Sequence, residues 1–183
     1  YDGFQYDLNN PNSKLNVGDK MRYNYMLAAS ISEATIFMRF NSSKINGYAG
    51  GSYIRTHYQR EGKFKHEAYP TSSYGKSKKQ RFNNGNLKAG LTYKITGKQL
   101  LQANAAWLNR APNLRNSFSN PRETNAVVGE LANRPLSNEQ TLTADASYVF
   151  RSPSLKARLT AFYAQIKDAN EISFFFAEGI GGD

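Results

Sequence analysis

The sequence predicts an all-β fold of antiparallel up-and-down hairpins. Three observations carry that expectation. Apolar residues in the patterned stretches recur with period two rather than 3.6. Short turns join the stretches within a pair, while long polar segments separate the pairs. Gly (14), Pro (6) and many Asn residues argue against long helices.

The first hairpin spans about residues 33–58. Ala34, Ile36, Met38 and Phe40 alternate with Glu33, Thr35 and Arg39, and Phe37 interrupts the polar set. Residues 41–44 turn, and a strand is expected from about Ile45 to Tyr58. Gly47, Gly50 and Gly51 leave the facing of that strand unassigned.

The second hairpin, about 84–109, is cleaner. Leu87, Ala89, Leu91, Tyr93 and Ile95 share one face, and Asn86, Lys88, Gly90, Thr92 and Lys94 the other. Thr96-Gly97-Lys98 turns the chain into Leu101, Ala103, Ala105 and Trp107, alternating with Gln102, Asn104 and Ala106. The third hairpin, about 139–167, sets Leu142, Ala144, Ala146, Tyr148 and Phe150 against Thr141, Thr143, Asp145 and Ser147. Arg151-Ser152-Pro153-Ser154 turns it, since Pro cannot donate to a ladder. The return strand places Leu155, Ala157, Leu159, Ala161 and Tyr163 opposite Lys156, Arg158 and Thr160.

Long connections remain at about 61–83 and 111–137, so short turns lie at one end of the sheet and long loops at the other. Membrane barrels have this design, with short periplasmic turns and long extracellular loops. Asn84–Thr96 extends roughly 43 Å at about 3.3 Å per residue. Tilted by about 45°, it rises roughly 30 Å, enough to cross the hydrocarbon layer. Tyr93, Tyr148 and Phe150 sit by the short turns, Trp107 and Tyr163 toward the loops, and small or aliphatic residues between them. Two aromatic girdles around an aliphatic band suit a sheet facing lipid. Period two also describes a soluble sandwich packed on a second sheet. Strand length, loop asymmetry and girdles favour the membrane. Six strands do not close a barrel, for which about eight are needed, so an arc of a larger barrel is expected.

Composition sets the outer bounds. The 183 residues are one domain's worth of chain. An apolar share of 39 % and an aromatic share of 13 % are too high for a disordered tail. The longest apolar run, Tyr25 to Ala29, is far too short for a membrane helix. With no Cys, disulfides and thiolate chemistry are excluded. A net charge of +10 suits nucleic acid, anionic lipid or an acidic ligand. The sequence has no initiator Met, no signal peptide and a Gly181-Gly182-Asp183 end, so both ends are expected to be cuts from a longer protein.

Several short motifs follow one another in a set order. Gln59-Arg60-Glu61-Gly62-Lys63, Tyr69-Pro70 and Ser73-Tyr74-Gly75-Lys76-Ser77 lead into Lys88-Ala89-Gly90-Leu91-Thr92-Tyr93-Lys94-Ile95. Ala103-Asn104-Ala105-Ala106, Arg110-Ala111-Pro112, Asn116-Ser117-Phe118, Ser119-Asn120-Pro121-Arg122 and Asn125-Ala126-Val127-Val128 come next. Arg151 to Arg158, Phe162-Tyr163 and Lys167-Asp168 complete the set. Together they resemble the barrel domain of TonB-dependent receptors, of the kind carrying an N-terminal carboxypeptidase-regulatory-like domain. The resemblance runs from about Tyr23 to Ser173. It implies a segment of a roughly 22-stranded outer-membrane barrel holding a plug domain. The parent would bind a nutrient (siderophore, oligosaccharide or peptide) outside the cell. The inner-membrane TonB complex would drive its import. Plug and TonB-contacting segment are absent from these residues. Outer-membrane lipid, and a surface lipoprotein, are further implied partners.

Side chains suggest binding rather than chemistry. The 61–83 loop holds Lys63, Lys65, Lys76, Lys78, Lys79 and Arg81 against Glu61 and Glu67, six cations to two acids, net +4. That charge suits an anionic ligand, or the phosphates of surface glycolipid, on a solvated loop. Interleaved Phe64, Tyr69, Tyr74 and Phe82 also fit a nucleic-acid reading, but the charges lie along a loop, so no nucleic-acid partner is expected. A soluble all-β module for acidic glycans is the other alternative. His57 and His66 lack the spacing of a zinc pair; His66-Glu67 offers donors that would help hold a chelated metal, but His66 is expected to be exposed. Ser42-Ser43 and Ser72-Ser73 have no activating His or Asp pattern. No catalytic residue, metal or cofactor is expected. In the 111–137 loop and at its root, Arg110 and Arg115 are the expected ligand contacts. Phe174-Phe175-Phe176 is expected to extend the last strand or to pack on the plug or another loop.

Overall fold

Each short turn is closed by hydrogen bonds that its own residues supply. In the computed structural model, which describes residues 5–169, Ser42 N donates to Ile45 O at 2.8 Å and Ser152 N to Leu155 O at 2.8 Å. Thr96 Oγ1 accepts from Gln99 N at 3.1 Å. Neighbouring turns are tied together, Lys94 N to Lys44 O and Arg151 N to Lys98 O, both at 2.8 Å. Phe174-Phe175-Phe176 lies outside the described residues.

These turns join β1 (Tyr25–Asn41) to β2 (Ile45–Gly62), β4 (Gln80–Lys94) to β5 (Gln99–Arg110), and β6 (Glu139–Arg151) to β7 (Lys156–Lys167). The sheet order is β1-β2-β4-β5-β6-β7, antiparallel throughout, and a short β3 (Gly75–Lys76) pairs with the end of β2. A helical turn at Arg115–Ser117 and a short helix, α1 (Val128–Leu131), lie in the long β5–β6 connection. The chain is all-β, an open antiparallel arc with edges at β1 and β7.

The register lines up whole rows of like residues. Phe40, Gly47, Leu91, Ala103, Ala146 and Ala161 are partners across all six long strands on the outer face. One residue toward the turns, Asn41, Asn46, Thr92, Gln102, Ser147 and Thr160 form a polar row on the inner face. Asn104 Nδ2 donates to Asp145 Oδ2 at 2.9 Å, and Arg158 donates to Gln102 on that face. This register assigns the facing the β2 glycines obscured. Phe37 points inward, stacked on Tyr48 with centroids 5.8 Å apart, with Lys88 Nζ 5.4 Å from its ring centroid. Gly50 makes room, since a Cβ there would fall 2.7 Å from Phe37 Cδ2.

Among the described residues, no second layer covers the outer face. Leu91 is 46 % and Leu159 76 % exposed, and Ala105 and Ala146 are open. A soluble sandwich would bury these side chains. The buried core instead sits at the long-loop end, where Tyr58, Phe82 and Ala111 pack with Leu114 and Leu136 beneath the loops.

The polarity of the faces inverts near Tyr53. Toward the turns, outer positions carry Ile36, Met38, Ala49 and Leu87; toward the loops, the same face carries Ser32, Ser30, Arg55, His57 and Arg81. The inner face changes from Thr92 and Asn104 to Ile31, Ile54, Tyr58 and Phe82. The strands thus run beyond the apolar band into water. For this reason β1 begins at Tyr25 rather than near residue 33, and β2 continues to Gly62 rather than ending near 58.

Candidate functional site

Above the inversion the two long connections fold onto each other over the inner face. Arg60 holds them. Even-numbered β2 residues face inward, so the side chain enters the space between the loops, where it is 1 % exposed. Its Nη1 donates to Asn125 Oδ1 at 2.6 Å and to Ser73 O at 3.0 Å. Nε donates to Pro121 O at 2.7 Å, and Nη2 to Arg122 O at 3.1 Å. The guanidinium also sits 5.3 Å from the centroid of the Tyr25 ring. Burial lowers its pKa, opposed by Tyr25, yet a guanidinium stays charged. Carbonyl and amide dipoles, aimed by the loops, compensate that charge.

Further bonds close the same seam. Asn125 N donates to Ser72 O at 2.5 Å, and the hydroxyls of Ser72 and Thr124 pair at 2.9 Å. Lys78 and Glu130 pair at 3.1 Å. His66, expected on the surface, is buried: Ser73 Oγ accepts from its backbone N–H at 2.8 Å, and Nε2 lies 3.9 Å from Glu123 Oε1. Sequence separation hid this, because Glu123 comes from the other loop.

Under the closed loops the inner wall carries a hollow of about 760 Å³. Ile31, Ile54 and Leu108 give it an apolar side; Asn84, Asn86, Asn113 and Asn116 give it amides; Glu33, Glu139 and Arg110 are its charged groups. Burial raises the Tyr58 pKa, opposed by the charge of Arg110, so a neutral phenol joins the lining. Such a surface offers stacking and hydrogen bonds together, with little net charge.

Arg110 stands at this hollow, its Nη2 2.5 Å from Glu139 Oε1 at the last rung of the β5–β6 ladder. Arg115 lines a separate hollow of about 500 Å³ with Tyr25, Leu27, Asn120 and Arg122. The structure does not bring the two arginines into one pocket. Arg60 and Tyr58 were missed as site residues, because their inward facing in β2 follows from the register and not from the glycine-rich sequence of that strand. Among the described residues no cluster of three or more His, Cys, Asp or Glu is placed to hold a metal.

The family model for the TonB dependent receptor-like β-barrel matches residues 5–177. This chain belongs to the TonB-dependent receptor β-barrel family. No curated protein and no solved structure matches it. Family members are outer-membrane transporters, not enzymes. In this TonB-dependent receptor barrel segment, the single-layered sheet is an arc of barrel wall with an apolar band on its outer face. In outer-membrane barrels short turns lie at the periplasmic end and long loops outside the cell.

Proposed function

We propose that this chain forms wall and outer mouth of a transporter that binds a nutrient and imports it with energy from the inner membrane. The hollow beneath the locked loops carries this reading, since it opens on the inner wall where a ligand would pass. Arg110 contacts the ligand there, exchanging its bond to Glu139 for one to the nutrient. Arg115 makes a second contact from its own hollow. The amide-rich, nearly neutral lining suits an oligosaccharide or peptide, and a ferric siderophore remains in the tested set. The plug domain of the parent fills the lumen. TonB acts through the parent's TonB-contacting segment, and a surface lipoprotein assists capture. A carboxypeptidase-regulatory-like domain precedes the plug. The chain itself performs no catalysis.

Titration of the full-length receptor with a neutral oligosaccharide, a peptide and a ferric siderophore tests this. One of the three binds, and Arg110→Ala weakens it about tenfold, the size of one charge-assisted hydrogen bond. Unchanged affinity in Arg110→Ala would remove this hollow from the binding path.

A further inference from the structure

We propose that Arg55, His57, Lys79 and Arg81 bind the phosphorylated headgroup of an outer-leaflet glycolipid, whose acyl chain lies along the groove below Tyr53. The proposal rests on the outer-membrane barrel reading. Lys79 and Arg81 were expected along a loop, but Arg81 lies in β4 directly opposite His57 in β2, and Arg55 is two residues away on the same face. Lys79 immediately precedes β4. Desolvation, then the charges of Arg55, Arg81 and Lys79, lower the His57 pKa. Among the described residues, no acid pairs with Arg55, Lys79 or Arg81. Glu61, farther along this face of β2, is taken by Lys63 Nζ at 2.6 Å.

The position selects a lipid over a dissolved anion. Arg55, His57 and Arg81 face away from the inner hollow, just beyond the level where the outer face turns from apolar to polar. Headgroups of the outer leaflet lie at that level. Below it, Ile36, Met38, Ala49, Gly51, Leu87 and Trp107 line an apolar groove of about 450 Å³. Gly51 and Arg55 are about 13 Å apart along β2 at roughly 3.3 Å per residue, within the reach of one headgroup and its acyl chain. Guanidinium groups fork onto phosphate oxygens.

The full-length receptor, purified in detergent, is titrated with diphosphoryl lipid A, dephosphorylated lipid A and inorganic phosphate, and binding is read by native mass spectrometry. Diphosphoryl lipid A binds, and the other two bind about tenfold or more weaker. Arg55→Gln/Arg81→Gln weakens it about thirtyfold and Lys79→Gln about fivefold, the effect of two cations and of one at a membrane surface. Lys79 lies outside the sheet, so its variant still decides the matter if the double variant misfolds. Unchanged affinity in either variant overturns the proposal, as does equal binding of dephosphorylated lipid or of inorganic phosphate. Heat-modifiable migration of the wild type reads the barrel separately: a receptor that shifts on heating but fails these tests loses only the lipid site. One that is soluble without detergent and does not shift loses both.

Discussion

Arg60 Nη1 and Asn125 Oδ1 meet at 2.6 Å, joining the end of β2 to the β5–β6 connection across 65 residues of sequence. The contact sits inside a buried guanidinium site with no carboxylate among its hydrogen-bond acceptors. Removing Arg60 leaves Asn125 Oδ1 and three loop carbonyls without their donor, whereas removing Asn125 leaves Arg60 its three carbonyl acceptors. The two outer loops are therefore one mechanical unit rather than two independent flaps.

Arg60→Ala should free both loops while sparing the barrel wall. Loss of a buried, multiply bonded cation costs about 3 kcal/mol, and Asn125→Ala about 1–2 kcal/mol. Hydrogen exchange in 63–79 and 111–138 should rise sharply, with exchange in β4–β7 unchanged. Arg60→Lys should not rescue, because an ammonium cannot reproduce the four-acceptor fork. Rescue by Lys would show that charge alone suffices.

Gly62→Ala should open the same seam from the backbone side. A Cβ there would fall 1.7 Å from Ser73 O and 2.7 Å from Arg60 Nη1, so the loop must move. Limited proteolysis should cut within 63–79 in this variant first. An unchanged cleavage pattern would mean that the loop is not seated as described.

The apolar band should resist charge according to face. Leu91→Arg places a cation toward lipid and should cost about 2–4 kcal/mol in refolding into vesicles, whereas Thr92→Arg, toward the lumen, should cost less than about 1 kcal/mol. Equal costs would contradict the assignment of faces.

Arg110→Ala and Arg115→Ala should act independently. The two residues line different hollows, so their effects on nutrient affinity should add within about 0.5 kcal/mol. Arg110→Ala should change stability by less than about 1 kcal/mol, because the Arg110 side of its pair with Glu139 is 74 % exposed. Strong coupling would place both on one ligand group.

The wall was legible in the sequence because lipid and water impose period two. Leu87, Ala89 and Leu91 against Lys88 and Thr92 state it outright. The outer extensions were hidden because the alternation reverses phase: past Tyr53, Arg55 and His57 turn to solvent while Ile54 and Tyr58 turn to the loop core. Phe37 looked like an error on the polar face until the register placed Gly50 beside it. Arg60 was part of a motif, but its role was not readable, since three of its acceptors are backbone carbonyls that any residue supplies. His66 was misplaced because its shelter, Ser73 and Glu123, comes from two loops.

The most direct test of the lipid-facing wall uses two adjacent residues of β5. The sequence has no Cys, so Ala105→Cys and Ala106→Cys can each carry one spin label in the reconstituted receptor, after any Cys elsewhere in the parent is replaced. The account predicts that the label at 105 collides freely with oxygen dissolved in the bilayer and is shielded from an aqueous nickel complex, with the order reversed at 106. A label at 105 exposed to nickel, or shielded from both reagents, would contradict it.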